Sequence, residues 1–255
     1  SFAKAVDRLF FDGGVLRDEF DQMFAALFRQ PLPYIQVMKF LATKKSGINR
    51  KEIGDGLKKI DNGHLTKILN DLETCDFVRK FYTIGRGGKL KSSSCFYQLT
   101  DFYTIFYFTF HDKAGSIKNY FQKNVGSSVV SAWFGLSFER VVSAHIDKVK
   151  KALGIDKIIT QHYTWRGEYD GERVQIDLVI DRADGIIDIC EIKYSDAEYR
   201  LTQEEYFKII DRVEIFKRVT GTQKTVHPVL VTVFGANRGE YSGLIDSKIM
   251  LKDFM

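Results

Sequence analysis

Residues 175–194 read Gln-Ile-Asp-Leu-Val-Ile-Asp-Arg-Ala-Asp-Gly-Ile-Ile-Asp-Ile-Cys-Glu-Ile-Lys-Tyr, and this stretch decides the fold of the C-terminal half. Two runs rich in β-branched residues flank a short Asp-Gly segment, which predicts two strands joined by a tight turn. Asp177, Glu191 and Lys193 interrupt these runs, and a charge in an apolar strand is costly unless it has a partner or a use. An acid on one strand followed by acid-x-Lys on the next is typical of metal-dependent phosphodiesterases.

The turn determines whether the two acids share a face, because side chains alternate along a strand. A two-residue turn would place Asp177 and Glu191 on opposite faces. A three-residue loop that ends at a left-handed Gly185 pairs Asp177 with Glu191 and Gln175 with Lys193. We therefore predict the three-residue loop.

This register predicts a site for Mg²⁺ or Mn²⁺. Mg²⁺ prefers oxygen ligands, usually one or two carboxylates together with water and phosphate. The predicted protein ligands are Asp177, Glu191 and the carbonyl of Ile192. Lys193 is predicted to orient or deprotonate the attacking water, or to stabilise the charge that develops on the phosphate.

Other polar residues near the motif have secondary predicted roles. Glu139, on a preceding helix, is predicted to orient a second metal or a water, and Gln175 to position water or phosphate. Trp165 either packs beside the site or stacks on a base. The alternative is an exposed strand face with an ordinary Glu–Lys pair, and the remaining charges near the turn are predicted to form an exposed cluster: Asp181, Arg182 and Asp188.

The surrounding pattern predicts one mixed sheet flanked by helices. The order is α-β-β-β-α-β, with the last strand as a central strand because it is continuously apolar. The predicted ranges are a helix at 135–153, strands at 157–165, 174–182 and 186–194, a helix at 202–219 and a strand at 227–234.

The predicted order of elements in the middle of the chain is that of a winged helix. Three short helices are predicted between residues 34 and 72, with Asn49 and Asn62 as N-caps. Two strands, 77–84 and 94–99, enclose the basic loop 85–89. In such a module the third helix enters the major groove and the wing lies on phosphates. The candidate DNA contacts are Asn62, His64, Lys67, Arg86, Lys89 and Lys91; the alternative is a protein-interaction or spacer module.

Charge is unevenly distributed along the 255 residues. The net charge is +5, yet residues 31–126 carry 16 basic and 8 acidic side chains, a net of +8. Residues 1–30 have a net charge of −1 and residues 127–255 a net charge of −2. A basic middle module is typical of a polyanion-binding surface; the alternative is a solvated surface with excess lysine. The aromatic run 101–111 is predicted to be a buried connecting helix, with base stacking as the alternative.

Composition and motif spacing exclude several classes of protein and of binding site. An apolar run of about 18 residues and a signal-peptide pattern are both lacking, which predicts no membrane partner. The widely spaced Cys75, Cys95 and Cys190 form neither a disulfide framework nor a zinc site, so we expect a reduced, cytoplasmic protein. Residues 85–92 lack the spacing of a phosphate-binding loop, and we expect no ATP site in the chain.

Several motifs resemble a family of prokaryotic AAA+-type ATPases. They are Trp133-Phe-Gly135 with Phe138-Glu139, Gln175-Ile-Asp177, Cys190-Glu191-Ile-Lys193, Thr232-Val-Phe-Gly235 and Leu251-Lys-Asp-Phe254. In that family a nucleotide-binding domain precedes a winged helix and a C-terminal domain of the PD-(D/E)xK, or restriction-endonuclease-like, type. The resemblance implies an α+β or α/β chain with the nuclease-like domain at 127–255, the winged helix at 31–126 and an ATPase-lid remnant at 1–30.

The resemblance also assigns roles. It implies metal binding at Asp177 and Glu191 and catalysis at Lys193, and Glu139 matches the family's helix acid. Because the nucleotide-binding motifs are absent, it implies an upstream ATPase domain as a partner and no ATP hydrolysis by these residues. It leaves open the oligomeric state, and whether the nuclease-like domain hydrolyses DNA or serves as a scaffold.

Overall fold

The computed structural model describes residues 1–11, 13–44, 47–58, 60–84, 90–115, 117–245 and 247–255, without the side chains of residues 83, 84 and 90–94. Contacts divide the chain into two units, Ser1–Lys80 with Cys95–Phe134 and Phe81–Ser94 with Gly135–Met255. The architecture is a mixture of helices and sheets, as predicted for an α+β chain. Among the described residues, no helix is long and apolar enough to cross a membrane.

The first unit combines helices with a small sheet. Its three strands have the order β1-β3-β2, and β1 is antiparallel to β3. Its elements, some of which continue past its borders, are α1 (Phe2–Phe10), α2 (Glu19–Leu27), α3 (Pro31–Ala42), β1 (Ile48–Asn49), α4 (Arg50–Gly56), α5 (Asn62–Thr74), β2 (Val78–Ile84), β3 (Leu90–Leu99), α6 (Phe102–Ala114) and α7 (Tyr120–Asn124).

Of the two predicted N-cap residues, the structure confirms one and contradicts the other. Asn49 caps α4 through a capping box with Glu52, as predicted. The prediction that Asn62 caps α5 is wrong. Asp61 is the cap, because its carboxylate accepts a hydrogen bond from the backbone N–H of His64 at 2.9 Å. Asn62 is the first helical residue.

Helices α5 and α6 supply much of the core of the first unit. Leu65, Ile68, Leu69 and Leu72 follow the helical period and are fully buried. The aromatic run forms α6, as predicted, and its Phe106 and Phe110 pack edge-on against Trp133. Burial of these rings removes them from base stacking.

The second unit is built on a five-stranded mixed sheet. The strand order is β4-β5-β6-β7-β8, antiparallel in the first two pairs and parallel in the last two. Its elements are α8 (Ser128–Ala144, shared with the first unit), α9 (Ile146–Ala152), β4 (Thr160–Tyr169), β5 (Glu172–Arg182), β6 (Ile186–Lys193), α10 (Gln203–Thr220), β7 (Thr225–Thr232), α11 (Glu240–Gly243), β8 (Ser247–Met250) and α12 (Leu251–Phe254).

The predicted α-β-β-β-α-β order is confirmed, and β7 is a central strand because β8 pairs with its far side. Sequence reasoning missed β8. It was also wrong to predict one continuous helix at 135–153, because the helix breaks at His145. The break lets both α8 and α9 pack on one core, through Val142 and Val149.

Apolar side chains cover both faces of the sheet. On one face, α8 and α9 pack on Leu178, Ile180, Cys190 and Ile192. On the other face, α10 packs on Ile176, Val179, Ile187 and Ile189. Strands β5 and β6, which carry Asp177 and Glu191, are therefore covered by helices on both faces of the sheet.

Candidate functional site

The hairpin register agrees with the prediction over its hydrogen-bonded length. Leu178 pairs with Cys190 and Asp181 with Ile187, which leaves the three-residue loop 183–185. Gly185 has a φ of +86°, the left-handed conformation that glycine tolerates. The ladder stops at Leu178–Cys190, one pair before Asp177 and Glu191.

A β-bulge lies at Asp177. Between the pairs Tyr163–Val179 and Trp165–Ile176, strand β5 has one residue more than β4. As a result, Ile176 and Val179 pack on the same α10 side although they are three residues apart. The predicted shared face of Asp177 and Glu191 assumed that side chains alternate regularly along β5. That alternation is interrupted at Asp177, because a bulge changes the direction of the side chain it carries.

Polar neighbours on β4 and β5 hold Asp177. The Gln175 side-chain amide donates to Asp177 Oδ1 at 2.6 Å, and Arg166 Nε donates to Gln175 Oε1 at 3.0 Å. The Thr164 hydroxyl donates to the Asp177 carbonyl at 3.0 Å. Gln175 was predicted to position water or phosphate; in the structure its side chain binds Asp177. Arg166 was not among the predicted site residues; it pairs with Gln175 across β4 and β5, a position that only the strand register reveals.

Two cations hold Glu191. Lys193 Nζ lies 2.8 Å from Oε1, and the guanidinium of Arg212 binds Oε2. The Glu191 carboxylate is mostly buried, with 14% of its side chain exposed. Sequence reasoning missed Arg212, which lies on α10 beside the buried positions Ile209 and Val213. An arginine next to the apolar stripe of a helix that covers acid-bearing strands is the signal that could have found it.

Glu139 on α8 completes the group of acids. Its pKa is raised to about 7: burial is the largest cause, the carboxylates of Asp177 and Glu191 act in the same direction, and Arg140 and Lys193 oppose them. These influences place Asp177, Glu191 and Lys193 within electrostatic range of Glu139. Helix α8 and strands β5 and β6 each contribute one of the acids.

These donors suit a small hard cation that takes two protein carboxylates. Within the described part of the chain, no three His, Cys, Asp or Glu side chains are close enough to form a metal cluster. Mg²⁺ and Mn²⁺ sites often use one or two carboxylates and complete their shell with water and phosphate. Asp177 and Glu191 supply two such carboxylates, and both oxygens of Glu191 are bound by Lys193 and Arg212.

The opposite end of the hairpin differs from the sequence prediction. Asp188 is buried, with 3% exposed, and its carboxylate lies 3.4 Å from Arg182. Burial raises the pKa of Asp188, and Arg182 opposes this shift. Lys224 binds Asp181 at 2.5 Å and the Arg182 carbonyl at 2.7 Å. The predicted exposed cluster is therefore a largely structural network.

Trp165 does not meet the base-stacking alternative. Its side chain is fully buried and packs edge-on against Phe216 of α10, with 5.0 Å between ring centroids. It belongs to the core on the α10 side of the sheet.

The candidate DNA contacts on α5 lie in the first unit, whereas those in the basic hairpin lie in the second unit or outside the described residues. Asn62 and Lys67 are exposed on α5, and His64 is half-buried. Arg86 and Lys89 lie outside the described residues. Lys91 lies in β3, where only the backbone is described.

Comparisons with known proteins add little to this geometry. No family model and no curated protein matches the chain. A solved structure of AF1548, a protein of unknown function, is similar at 18% sequence identity over 42% of this chain, with a TM-score of 0.30. The chain matches 54% of the length of that protein. Such a likeness carries no argument, so the functional proposal depends on the residues of the site.

Proposed function

We propose that the chain is a DNA-interacting module whose second unit, of PD-(D/E)xK type, hydrolyses phosphodiester bonds with Mg²⁺ or Mn²⁺. The observation that carries the proposal is the grouping of Glu139 from α8 with Asp177 from β5 and with Glu191, which Lys193 contacts at 2.8 Å, on β6; burial and the two neighbouring acids raise the pKa of Glu139 to about 7. A buried carboxyl with a strongly raised pKa beside two further acids and a lysine is typical of a functional site. The αβββαβ order of the unit, with its five-stranded mixed sheet, supports the proposal.

Each acid and lysine of the site has a distinct role in the proposed reaction. Asp177 and Glu191 would hold the cation, which would supply a water of lowered pKa and neutralise phosphate charge. Lys193, next to Glu191, orients the attacking water or stabilises the developing charge. Glu139 has a pKa near neutrality, which suits a group that accepts or returns a proton.

The neighbouring side chains position this machinery. The Arg166–Gln175 pair fixes the orientation of Asp177 through the 2.6 Å hydrogen bond from Gln175. Arg212 neutralises Glu191 when no cation is bound. Its exposed fraction of 35% leaves it room to turn toward a phosphate when the cation binds.

In this proposal residues 31–126 hold the nucleic acid. Helices α3, α4 and α5 followed by β2 and β3 match the winged-helix plan, and residues 31–126 carry a net charge of +8. Phosphate neutralisation by such a surface supplies affinity without sequence information. An upstream ATPase domain is the proposed protein partner, as the family resemblance implies.

A second candidate is a non-catalytic interaction portion of the ATPase, with the sheet kept as a scaffold. The two cations on Glu191 favour it, because an acid that is already neutralised needs no metal. A winged-helix regulator is a further alternative, which predicts one preferred DNA sequence and no strand cleavage.

Metal binding separates the first two candidates. We expect Mn²⁺ to bind the wild-type protein in isothermal titration calorimetry and Asp177→Asn to weaken binding at least tenfold. Asp170→Asn is the matched control, because Asp170 is exposed in the turn between β4 and β5, and asparagine tolerates its left-handed conformation. Absence of Mn²⁺ binding to the wild type, or equal binding to Asp177→Asn, would support the scaffold.

A further inference from the structure

The first unit contains a cavity of about 550 Å³ between α5 and the segment that joins α2 to α3. We infer that this cavity is an anion site that takes a phosphate group. The basic side chains that line it are Arg29 from the connecting segment and His64 and Lys67 from α5. The inference deepens the nucleic-acid contact proposed above for α5 and does not depend on the metal-dependent chemistry.

The two permanent cations of the cavity lack acidic partners. Among the described residues, no carboxylate lies within ion-pair distance of Arg29 or Lys67. Two unpaired cations that line one concave surface attract an anion more strongly than either alone.

The one acid that lines the cavity is already engaged. Asp71 Oδ2 accepts a hydrogen bond from the Tyr34 hydroxyl at 2.6 Å. Burial and this hydrogen bond raise the pKa of Tyr34 to about 12, so the hydroxyl remains a donor at neutral pH. The Tyr34 ring stacks on Phe28 with 4.0 Å between centroids, which fixes the hydroxyl in place. Asp71 is therefore held by Tyr34, away from pairing with the cations.

The lining suits a phosphate group. Arginine and lysine form charge-assisted hydrogen bonds with phosphate oxygens, and arginine does so with two parallel N–H groups. Gln30 and Thr74 add neutral polar groups to the wall. The volume admits a phosphate together with part of the molecule that carries it. That molecule is either a nucleic-acid backbone or a small phosphorylated ligand.

The test measures inorganic phosphate binding to the full chain without metal or DNA. We expect ¹H–¹⁵N NMR titration at constant ionic strength to shift the amides of Asp71 and Thr74. The double variant Arg29→Gln, Lys67→Gln should bind at least tenfold more weakly. The matched control is Lys118→Gln, Lys148→Gln, which removes two exposed cations elsewhere and should bind as the wild type does.

A variant that is expected to bind phosphate more tightly completes the test, because misfolding cannot explain a gain of affinity. Asp71→Asn removes the negative charge of the cavity and should tighten phosphate binding about threefold. The inference is overturned if the wild type does not bind phosphate, if the Arg29–Lys67 variant binds equally well, or if Asp71→Asn binds no more tightly.

Fluorescence anisotropy with a short duplex then identifies the source of the phosphate. Weaker duplex binding by the Arg29–Lys67 variant, with the control unchanged, assigns the site to the nucleic-acid backbone. Unchanged duplex binding assigns it to a small phosphorylated ligand. Because neither assay contains metal, loss of the proposed nuclease activity and loss of the anion site give different results.

Discussion

Glu139 is the residue whose charge state connects the second unit's stability with its proposed chemistry. Its pKa is about 7 in the folded protein against an ordinary value of 4.5, and burial is the first cause. Between these values the folded chain keeps a proton that the unfolded chain has released. The free energy of unfolding therefore falls as the pH rises through this window.

Replacement of Glu139 by glutamine should remove this pH dependence. We expect the stability of Glu139→Gln relative to the wild type to be greater at pH 8 than at pH 5 by about 2–3 kcal/mol. Urea unfolding in the presence of EDTA measures the difference. If both proteins show the same pH dependence, Glu139 is not buried among the other acids in the way described.

Arg212 is the second residue with a specific consequence. Its guanidinium occupies Glu191 Oε2, so it competes with any bound cation. We expect Arg212→Gln to bind Mn²⁺ about fivefold to tenfold more tightly than the wild type in calorimetry, because a positive charge next to the site is removed.

The control for this variant lies on the same helix. Arg218 contacts Tyr169 and is exposed, and Arg218→Gln should leave Mn²⁺ affinity unchanged. Equal or weaker Mn²⁺ binding by Arg212→Gln would show that Arg212 supports the site rather than competing for it.

At the scale of elements, the β5–β6 hairpin sets the position of Glu191, and Gly185 sets the hairpin. A Cβ at Gly185 would meet no atom within 4 Å, so the cost of Gly185→Ala comes from its φ of +86° alone. We expect a loss of about 1–2 kcal/mol in the free energy of unfolding, measured with urea.

Gly135 provides the comparison for that substitution. It lies in α8, and a Cβ there also meets no atom within 4 Å. Gly135→Ala should therefore stabilise the protein by about 0.5–1 kcal/mol. If the two substitutions have equal effects, the left-handed loop does not hold the register.

Regular elements were predictable because their signals are local. The αβββαβ order follows from apolar periodicity, and the loop 183–185 follows from the conformational freedom of Gly185. The bulge at Asp177 was not predictable, because it depends on how β5 pairs with β4. Burial of Asp188 was likewise set by tertiary packing, since only the folded chain brings Arg182 onto it.

The candidate site shows the same limit. The sequence named Asp177, Glu191 and Lys193 because acid-x-Lys is a local pattern. It missed Arg212, which lies 21 residues from Glu191 in sequence and meets it only through the packing of α10. Long-range partners of this kind need the fold before they are recognisable.

At the scale of the whole molecule, the distribution of charge predicts how DNA affinity depends on salt concentration. The excess positive charge is concentrated in residues 31–126, which carry a net +8 against +5 for the full chain. If this region neutralises about five DNA phosphates, the logarithm of affinity should fall with the logarithm of salt concentration at a slope of about −4.5. Anisotropy titrations between low and moderate salt measure the slope, and an affinity independent of salt contradicts it.

The most direct test of the account is cleavage of supercoiled and branched DNA with Mg²⁺ or Mn²⁺. The wild type is compared with Glu191→Ala and Lys193→Ala, and with Asp170→Asn as an exposed control. The account predicts cleavage by the wild type and the control, and loss of cleavage in both site variants. Wild-type DNA binding that is salt-sensitive but never followed by cleavage would contradict the nuclease proposal and favour the scaffold.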